Sequence, residues 1–438
     1  MMKKRKSLIL KIIVVILIVA GISFIAVKTR GANEWYTKFD YSLDNGKIIL
    51  KQYIGTDNNA EITIYPKATI NGTTYTTYID PYYDETAIFE GASYFFTATN
   101  LTKVKKVSFV EDGNAKTIAA ADISSLFAYC TNITDINLTG LNTHNVTSMK
   151  EMFKNCENLV NLTMGTITSE NVTNMSGMFW NCKKLQNREL GFDTSKVQYM
   201  NDMFHGCSTL GTVTFSNHFS FEKVKQMSSM FKDCVMLTGI SFENGTKFNT
   251  STDLVKMDSM FENCEALGLL DTDGFVTTNI TDMSYLFHNC KALTDLNISG
   301  LDTSNVESMK NMFSGCISLR NLYLKDPNNN TSKWNTSKVK DMSYMFSNCK
   351  ALEQRNVTGF DTTLVKNMSH MFEDCISLES ITMDSSFNTA AVENMDYMFQ
   401  NCSSITTLNL STFNTSEVCR MDCMFQRMHF FNNINTWQ

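Results

Sequence analysis

Thirteen cysteines, 27 methionines and six histidines give this 438-residue chain material for thiol, metal and proton chemistry. Eleven of the cysteines (Cys130, Cys156, Cys182, Cys207, Cys234, Cys264, Cys290, Cys316, Cys349, Cys375 and Cys402) keep one place in a recurring phrase, three residues after a phenylalanine. A cysteine-rich chain outside the cytoplasm normally suggests disulfides. A disulfide needs Cβ atoms about 3.8 Å apart and converging. Equivalent residues on stacked repeats lie about 5 Å apart with parallel Cβ directions. An odd column also leaves one thiol over. Zinc needs paired Cys or nearby His at tetrahedral spacing, and no C-x₂-C is present. The favoured reading is a ladder of buried thiols acting as small hydrophobes with weak S–H bonds to the backbone.

The other candidates are sparser. Cys419 and Cys423 leave the column, whose place there is taken by Met428. Expected on one face of the last helix, they could hold a metal, cross-link two chains, or sit idle. Twenty-one methionines lie in register, four residues before the phenylalanine or directly before it. Ile123, Leu126 and Leu286 take the same positions, so this stripe reads as adaptable core rather than a metal or peptide site. His144, His205, His218, His288, His370 and His429 fall on different copies. No H-E-x-x-H, nucleophile elbow or phosphate loop is present. No catalytic, cofactor or metal residue is therefore assigned, and no enzyme is expected. A net charge of −6 without a basic stripe argues against a nucleic-acid partner.

What must position these residues is the repeat itself. Phenylalanines at 127, 153, 179, 204, 231, 261, 287, 313, 346, 372, 399 and 425 each sit in the phrase V-x-x-M-x-x-M-F-x-x-C-x-x-L-x-x-L-x-L. Their spacing runs from 25 to 33 residues, the signature of a solenoid whose copies are rungs. In one copy Val306, Met309, Met312 and Phe313 fall on one face of a short helix, with Thr303, Ser304 and Asn305 ready to cap it. Leu322-x-Leu324 then alternates as a short strand does. The predicted fold is an α/β repeat solenoid. It is a leucine-rich-repeat-like curved rod, with short parallel strands on one face, short helices on the other and a small β-rich N-terminal cap.

The expected domains are a signal peptide or membrane anchor over 1–32, a β-rich cap with a degenerate first repeat over 33–114, and about twelve repeats over 115–438. The degenerate copy is placed on Phe95, Ala98 and Leu101, with Val107-x-Phe109 as its strand. Lys3, Lys4, Arg5 and Lys6 precede an apolar stretch from Leu8 to Val27, interrupted only by Lys11, Gly21 and Ser23. The run from Ile12 to Val27 slightly exceeds the roughly 7–15 residues of a cleavable signal core and is marginal for the about 17–25 of a span. An uncleaved anchor is favoured over cleavage near Thr29-Arg30-Gly31. Both place residues from Asn33 onward outside the cytoplasm, because the basic cluster stays inside.

The phrase, clearest in SSLFAYCTNITDINL, KNMFSGCISLRNLYL and DYMFQNCSSITTLNL, resembles the BspA-like leucine-rich-repeat bacterial surface proteins over residues 115–438. The segment from Ile48 to Pro66, with Asn71-Gly72, is similar to that family's opening strands. The resemblance implies a right-handed repeat solenoid displayed at a bacterial surface and used in adhesion to host proteins, cells or other microbes. Arg188 and Arg355 depart from it by replacing the first strand leucine. Excursions at 242–252 and 324–337 are read as drift in length or as binding loops.

Strand alternation marks the surface where binding would lie. With Leu322 and Leu324 inward, Asn321 and Tyr323 face out. The same offset selects Asp135 and Asn137, Asn161 and Thr163, Asp295 and Asn297, Gln354 and Asn356, and Thr407 and Asn409. Asn187, Glu189, Thr212, Thr214, Ser380 and Thr382 extend the strip. Polar side chains on a rigid sheet suit a protein or glycan partner at a host or microbial surface. A merely solvated strip is the plain alternative, and an envelope spacer without a host ligand is the rival function.

Overall fold

The computed structural model describes residues 34–81, 95–96, 102–165, 167–186, 189–243, 247–328 and 330–428. The apolar N-terminal stretch, Ala98, Leu101 and His429 lie outside them. The chain opens with a 3-10 turn over Trp35–Lys38 and strands β1 (Phe39–Asp44), β2 (Lys47–Tyr53), β3 (Ala60–Ile64), β4 (Lys67–Ile70) and β5 (Thr73–Ile79). These cap strands continue into the rungs instead of forming a separate sheet. Strands β6 (Val104–Phe109), β8 (Asp135–Asn137) and β10 (Asn161–Thr163) pair in parallel beyond β3, in the order β10-β8-β6-β3. Strands β7 (Thr117–Ala119) and β9 (Leu141–Asn142) pair in parallel beyond β5. At the cap end Phe96, rather than Phe95, meets the first repeat ring, 6.1 Å from Phe127.

The strand face continues through β11 (Glu189–Leu190), β12 (Thr212–Phe215) and β13 (Gly239–Phe242), then β14 (Asp295–Asn297) with β15 (Asn321–Tyr323) and β16 (Gln354–Asn356) with β17 (Ser380–Thr382). All these pairings are parallel. Each of these strands is short because its neighbour is the next rung, and only a few residues per rung alternate. Inward residues such as Ile136, Leu296 and Leu322 are buried.

The opposite face corrects the expected helices. No α-helix occurs among the described residues. Two residues per rung, at −2 and +2 from each phenylalanine, take left-handed backbone. Examples are Asn311 (φ 56°) and Gly315 (φ 75°) around Phe313, and Ser259 (φ 55°) and Asn263 (φ 61°) around Phe261. A left-handed residue cannot continue a right-handed helix. The chain instead makes stacked turns. Met312 N–H donates to Met309 at 3.2 Å and Cys316 N–H to Phe313 at 3.1 Å. Alternate N–H groups cross to the next rung: in the second copy Met149, Glu151, Phe153 and Asn155 donate to Asn174, Ser176, Met178 and Trp180 at 2.6–3.0 Å. These turns bury Val, Met, Met and Phe at the spacing of a helical face, which is why periodicity suggested one.

Three inter-rung ladders lock this face. The twelve phenylalanine rings from Phe127 to Phe425 form a continuous stack, with neighbouring centroids 5.3–6.0 Å apart and planes within 11°. Burying each of the eleven rings from Phe127 to Phe399 contributes about 1.5–3 kcal/mol. The eleven column thiols are buried. From Cys156 onward each donates its S–H to the phenylalanine carbonyl of the preceding rung, as Cys234 Sγ does to Phe204 at 3.0 Å. Burial pushes Cys316 and Cys402 up to about 12. The methionines of the stripe pack in the same core.

The third ladder uses the residue before each cysteine. Asn263 Nδ2 donates to Asp233 Oδ1 at 2.7 Å, and Asn289 Nδ2 to Asn263 Oδ1 at 2.9 Å. Asn181 to Asn155 and Asn401 to Asp374 repeat the pattern at 2.8 and 2.7 Å. Gly206 and Gly315 interrupt it. A Cβ at Gly315 would stand 2.0 Å from Asn289 Oδ1, so a side chain there would require that amide to move.

Threonine closes the remaining corner. Thr303, expected as a helix cap, is fully buried and bridges rungs: Oγ1 donates to Asn335 O and accepts from Asn335 N, both at 2.6 Å. Thr362 and Thr389 repeat this with Asn388 and Asn414. Ser304 donates its N–H to Asp302, and Asn305 Nδ2 to Thr278 O. The long copies are anchored as well. Phe248 lies 5.1 Å from Phe221 and 4.1 Å from Phe275, and Trp334 packs 5.9 Å from Phe360. Cys419 and Cys423 are exposed, and Cys423 sits in a turn with φ 54°, not in a helix.

Candidate binding face

Parallel register brings the outward residues of the strand face into two columns. Asp135 pairs with Asn161 and Asn137 with Thr163; Asp295 pairs with Asn321 and Asn297 with Tyr323. Gln354 and Asn356 stand in register with Ser380 and Thr382. Asn161, Thr163, Asp295, Asn297, Asn321, Thr407 and Asn409 are exposed, Asp135 and Asn137 half-buried, and Tyr323 is 38% exposed. Asp135, Asn137, Asn161, Thr163, Asp295, Asn297, Asn321, Tyr323, Thr407 and Asn409 therefore share one side, each flanking a buried residue: Ile136, Leu162, Leu296, Leu322 or Leu408.

Some of their capacity is spent within the face. Asn161 Nδ2 donates to Asp135 Oδ1 at 2.8 Å, and Asn321 Nδ2 to Asp295 Oδ1 at 2.7 Å. Hydrogen bonds from Thr134 and Asn161 hold Asp135 below the ordinary carboxylate value, and those from Asn321 and Thr294 do so for Asp295. Both acids stay ionised, so this part of the surface accepts hydrogen bonds and attracts cations. Thr214 and Ser241 share a hydrogen bond of 2.9 Å further along.

Sequence reasoning passed over two rungs of this face. Gly239 and Ser241 occupy the outward places of β13, and Leu269 and Asp271 those of the next copy. Leu269 is 72% exposed, the most exposed large apolar residue described. Asp271 faces Lys247 at 3.1 Å, and that lysine reaches Asp273 at 2.7 Å. The signal was the cysteine offset, which selects these positions even where Leu269-Leu270 breaks the polar alternation.

The turn face offers less unspent chemistry. His205 is held between Asp202 at 2.9 Å and Asp233 at 3.2 Å, and its ring stacks 5.1 Å from Trp180, which carries Lys154 on its other side at 4.1 Å. His370 stacks between Tyr344 and Tyr397 at 4.2 and 4.7 Å. Burial holds the His288 imidazole below its ordinary value. No group of three metal-ligating side chains occurs among the described residues.

The family described as "Mycoplasma protein of unknown function, DUF285" matches residues 121–241, 255–380 and 354–438. No curated protein matches the chain. Among solved structures, a leucine-rich repeat protein from Bacteroides ovatus is 14% identical, with 92% of each chain covered and a TM-score of 0.55. A leucine-rich cell surface protein from Faecalibacterium prausnitzii is 15% identical, covering 88% of this chain and 95% of that one, with a TM-score of 0.39. A leucine-rich repeat protein from Eubacterium ventriosum is 16% identical, covering 83% and 92%, at 0.44. The resemblance read from the repeat phrase holds at the level of fold: the chain is built as a bacterial leucine-rich-repeat solenoid.

Proposed function

The chain belongs to this Mycoplasma DUF285 family, and from that premise we propose that it is an exported, surface-displayed, non-enzymatic binding protein. Its partner is a protein or glycan on a host or neighbouring cell, met on the strand face. One observation carries this reading: Asn161, Thr163, Asp295, Asn297, Asn321 and Tyr323 are aligned outward on strands whose inner residues are locked in the core. A rigid array of donors and acceptors loses little conformational freedom on binding. The basic cluster and apolar stretch before residue 28 hold the chain at the membrane. The fourfold substitution Asn297→Lys, Asn321→Lys, Tyr323→Glu and Asn356→Lys tests the assignment. Cell or matrix binding should vanish while the fold persists; unchanged binding by the folded variant refutes the face.

A second reading, an envelope spacer without a host ligand, is favoured by the face's own hydrogen bonds, Asn161 to Asp135 and Asn321 to Asp295. Capture by immobilised host matrix proteins or glycans supports binding, and its absence across such a panel supports the spacer.

A further inference from the structure

The cap carries a patch that neither the rungs nor the strand face explains. Trp35 is half-buried, and its ring lies 5.7 Å from that of Tyr65, which is 44% exposed. Ile54, 49% exposed, donates its backbone N–H to Lys38 O at 2.8 Å, so it borders the same 3-10 turn. Beneath them Tyr36, Phe39, Tyr53 and Phe95 form a buried aromatic layer. The turn packs on β3, the last strand of its sheet, so the patch lies at the end of the stack away from the final rung.

Trp35 follows Val27, the end of the apolar stretch, by eight residues. Eight residues span at most about 29 Å, so an anchored chain keeps this patch within that reach of the bilayer. Tryptophan and tyrosine concentrate at membrane interfaces, where an apolar ring with a polar edge fits the headgroup layer. The patch carries no net positive charge, because Lys38 pairs with Asp57 at 3.5 Å and Glu34 beside it adds a carboxylate. Its attraction to lipid is therefore aromatic rather than electrostatic.

We infer that the Trp35–Tyr65–Ile54 patch rests in the membrane interface and stands the solenoid on the bilayer by its cap. This rests on the reading that the N-terminal segment remains as an anchor. The consequence is orientation: the last rungs point away from the cell, and the strand face is held side-on to an approaching partner.

The test uses the full chain reconstituted in phosphatidylcholine vesicles, with and without brominated acyl chains. The chain has four tryptophans, so Trp35 emission is the difference between the parent and Trp35→Phe. That difference should lose most of its intensity in brominated vesicles, resist iodide and be unchanged by added salt. Tyr65→Glu should weaken the bromine quenching while the chain still floats with the vesicles. A floating chain whose Trp35 is quenched by iodide and not by bromine overturns the inference and leaves the anchor standing. Trp35 shielded from both reagents overturns it too, in favour of a second copy or another protein on the patch. A chain left in solution with a mass cut before Trp35 overturns the anchor reading and the inference together.

Discussion

The two long faces of the solenoid come from the same repeat and have opposite fates. On the turn face, phenylalanine rings stack on one another, thiols donate to the phenylalanine carbonyl of the preceding rung and asparagines to the Asn or Asp there, so ring, thiol and amide are spent on neighbours. On the strand face the inward side chains are spent and the outward ones only in part. Some outward ones meet across rungs, as Asn161 does with Asp135 and Thr214 with Ser241, and the others face water. Identity from rung to rung thus makes structure, and variation from rung to rung leaves chemistry available.

The sharpest way to break that contrast is alkali. Thiols unfold toward an ordinary value of 9.0, whereas folded Cys316 and Cys402 titrate at about 12. Between those values the unfolded chain has lost protons that the folded chain keeps, so stability is complete below pH 9 and falls as pH rises. Each buried thiol removes about 1.4 kcal/mol per pH unit in that window. Ten column thiols are raised by burial in this way, and together they should exceed a typical stability of about 5–15 kcal/mol within one or two units above pH 9. Circular dichroism against pH reads this, and a fold intact at pH 11.5 would refute it. In native protein at pH 8 a thiol reagent should label only Cys419 and Cys423, and the column only after denaturation.

Next in size is Phe231→Ala. It removes a ring lying 5.4 Å from Phe204 and 5.7 Å from Phe261, and should cost about 3–5 kcal/mol in a denaturant titration. Asn263→Ala should cost about 1–3 kcal/mol, because it deletes two ladder hydrogen bonds and places Ala at φ 61°. Asn263→Gly also deletes the ladder bonds but keeps the backbone permissive and should cost less; the reverse order would mean that left-handed backbone adds nothing to the cost, and no loss in either variant would mean the ladder is ornamental. Asn321→Ala on the strand face should change stability by only about 0.5 kcal/mol while weakening partner capture. A large loss of stability there would erase the distinction between the faces.

Much of this was legible in the residues. The period, the buried phrase and the outward strand positions follow from spacing alone. The helices did not, because stacked turns bury Val306, Met309, Met312 and Phe313 at the offsets a helix would use. The corrective signal was present: Asn, Asp or Gly precedes ten of the eleven column cysteines, and these residues tolerate left-handed backbone. The corner packing of Phe221, Phe248 and Phe275 was hidden by variable copy length. Thr303 looked like a cap because a buried threonine bridging two rungs carries no local pattern of its own.

The stacked turns also give the rod an electrical sense. In the second copy the peptide units 148–149, 150–151, 152–153 and 154–155 all present their carbonyl toward the N-terminal rungs and their N–H toward the C-terminal ones. A paired β-sheet largely cancels its strand dipoles, but here alternate amides of about 3.5 D add head to tail, rung after rung. The asparagine and thiol ladders run the other way, their donors reaching back toward the preceding rung. The column beneath the strand face is thus a polarised filament with its own counter-current of side-chain dipoles.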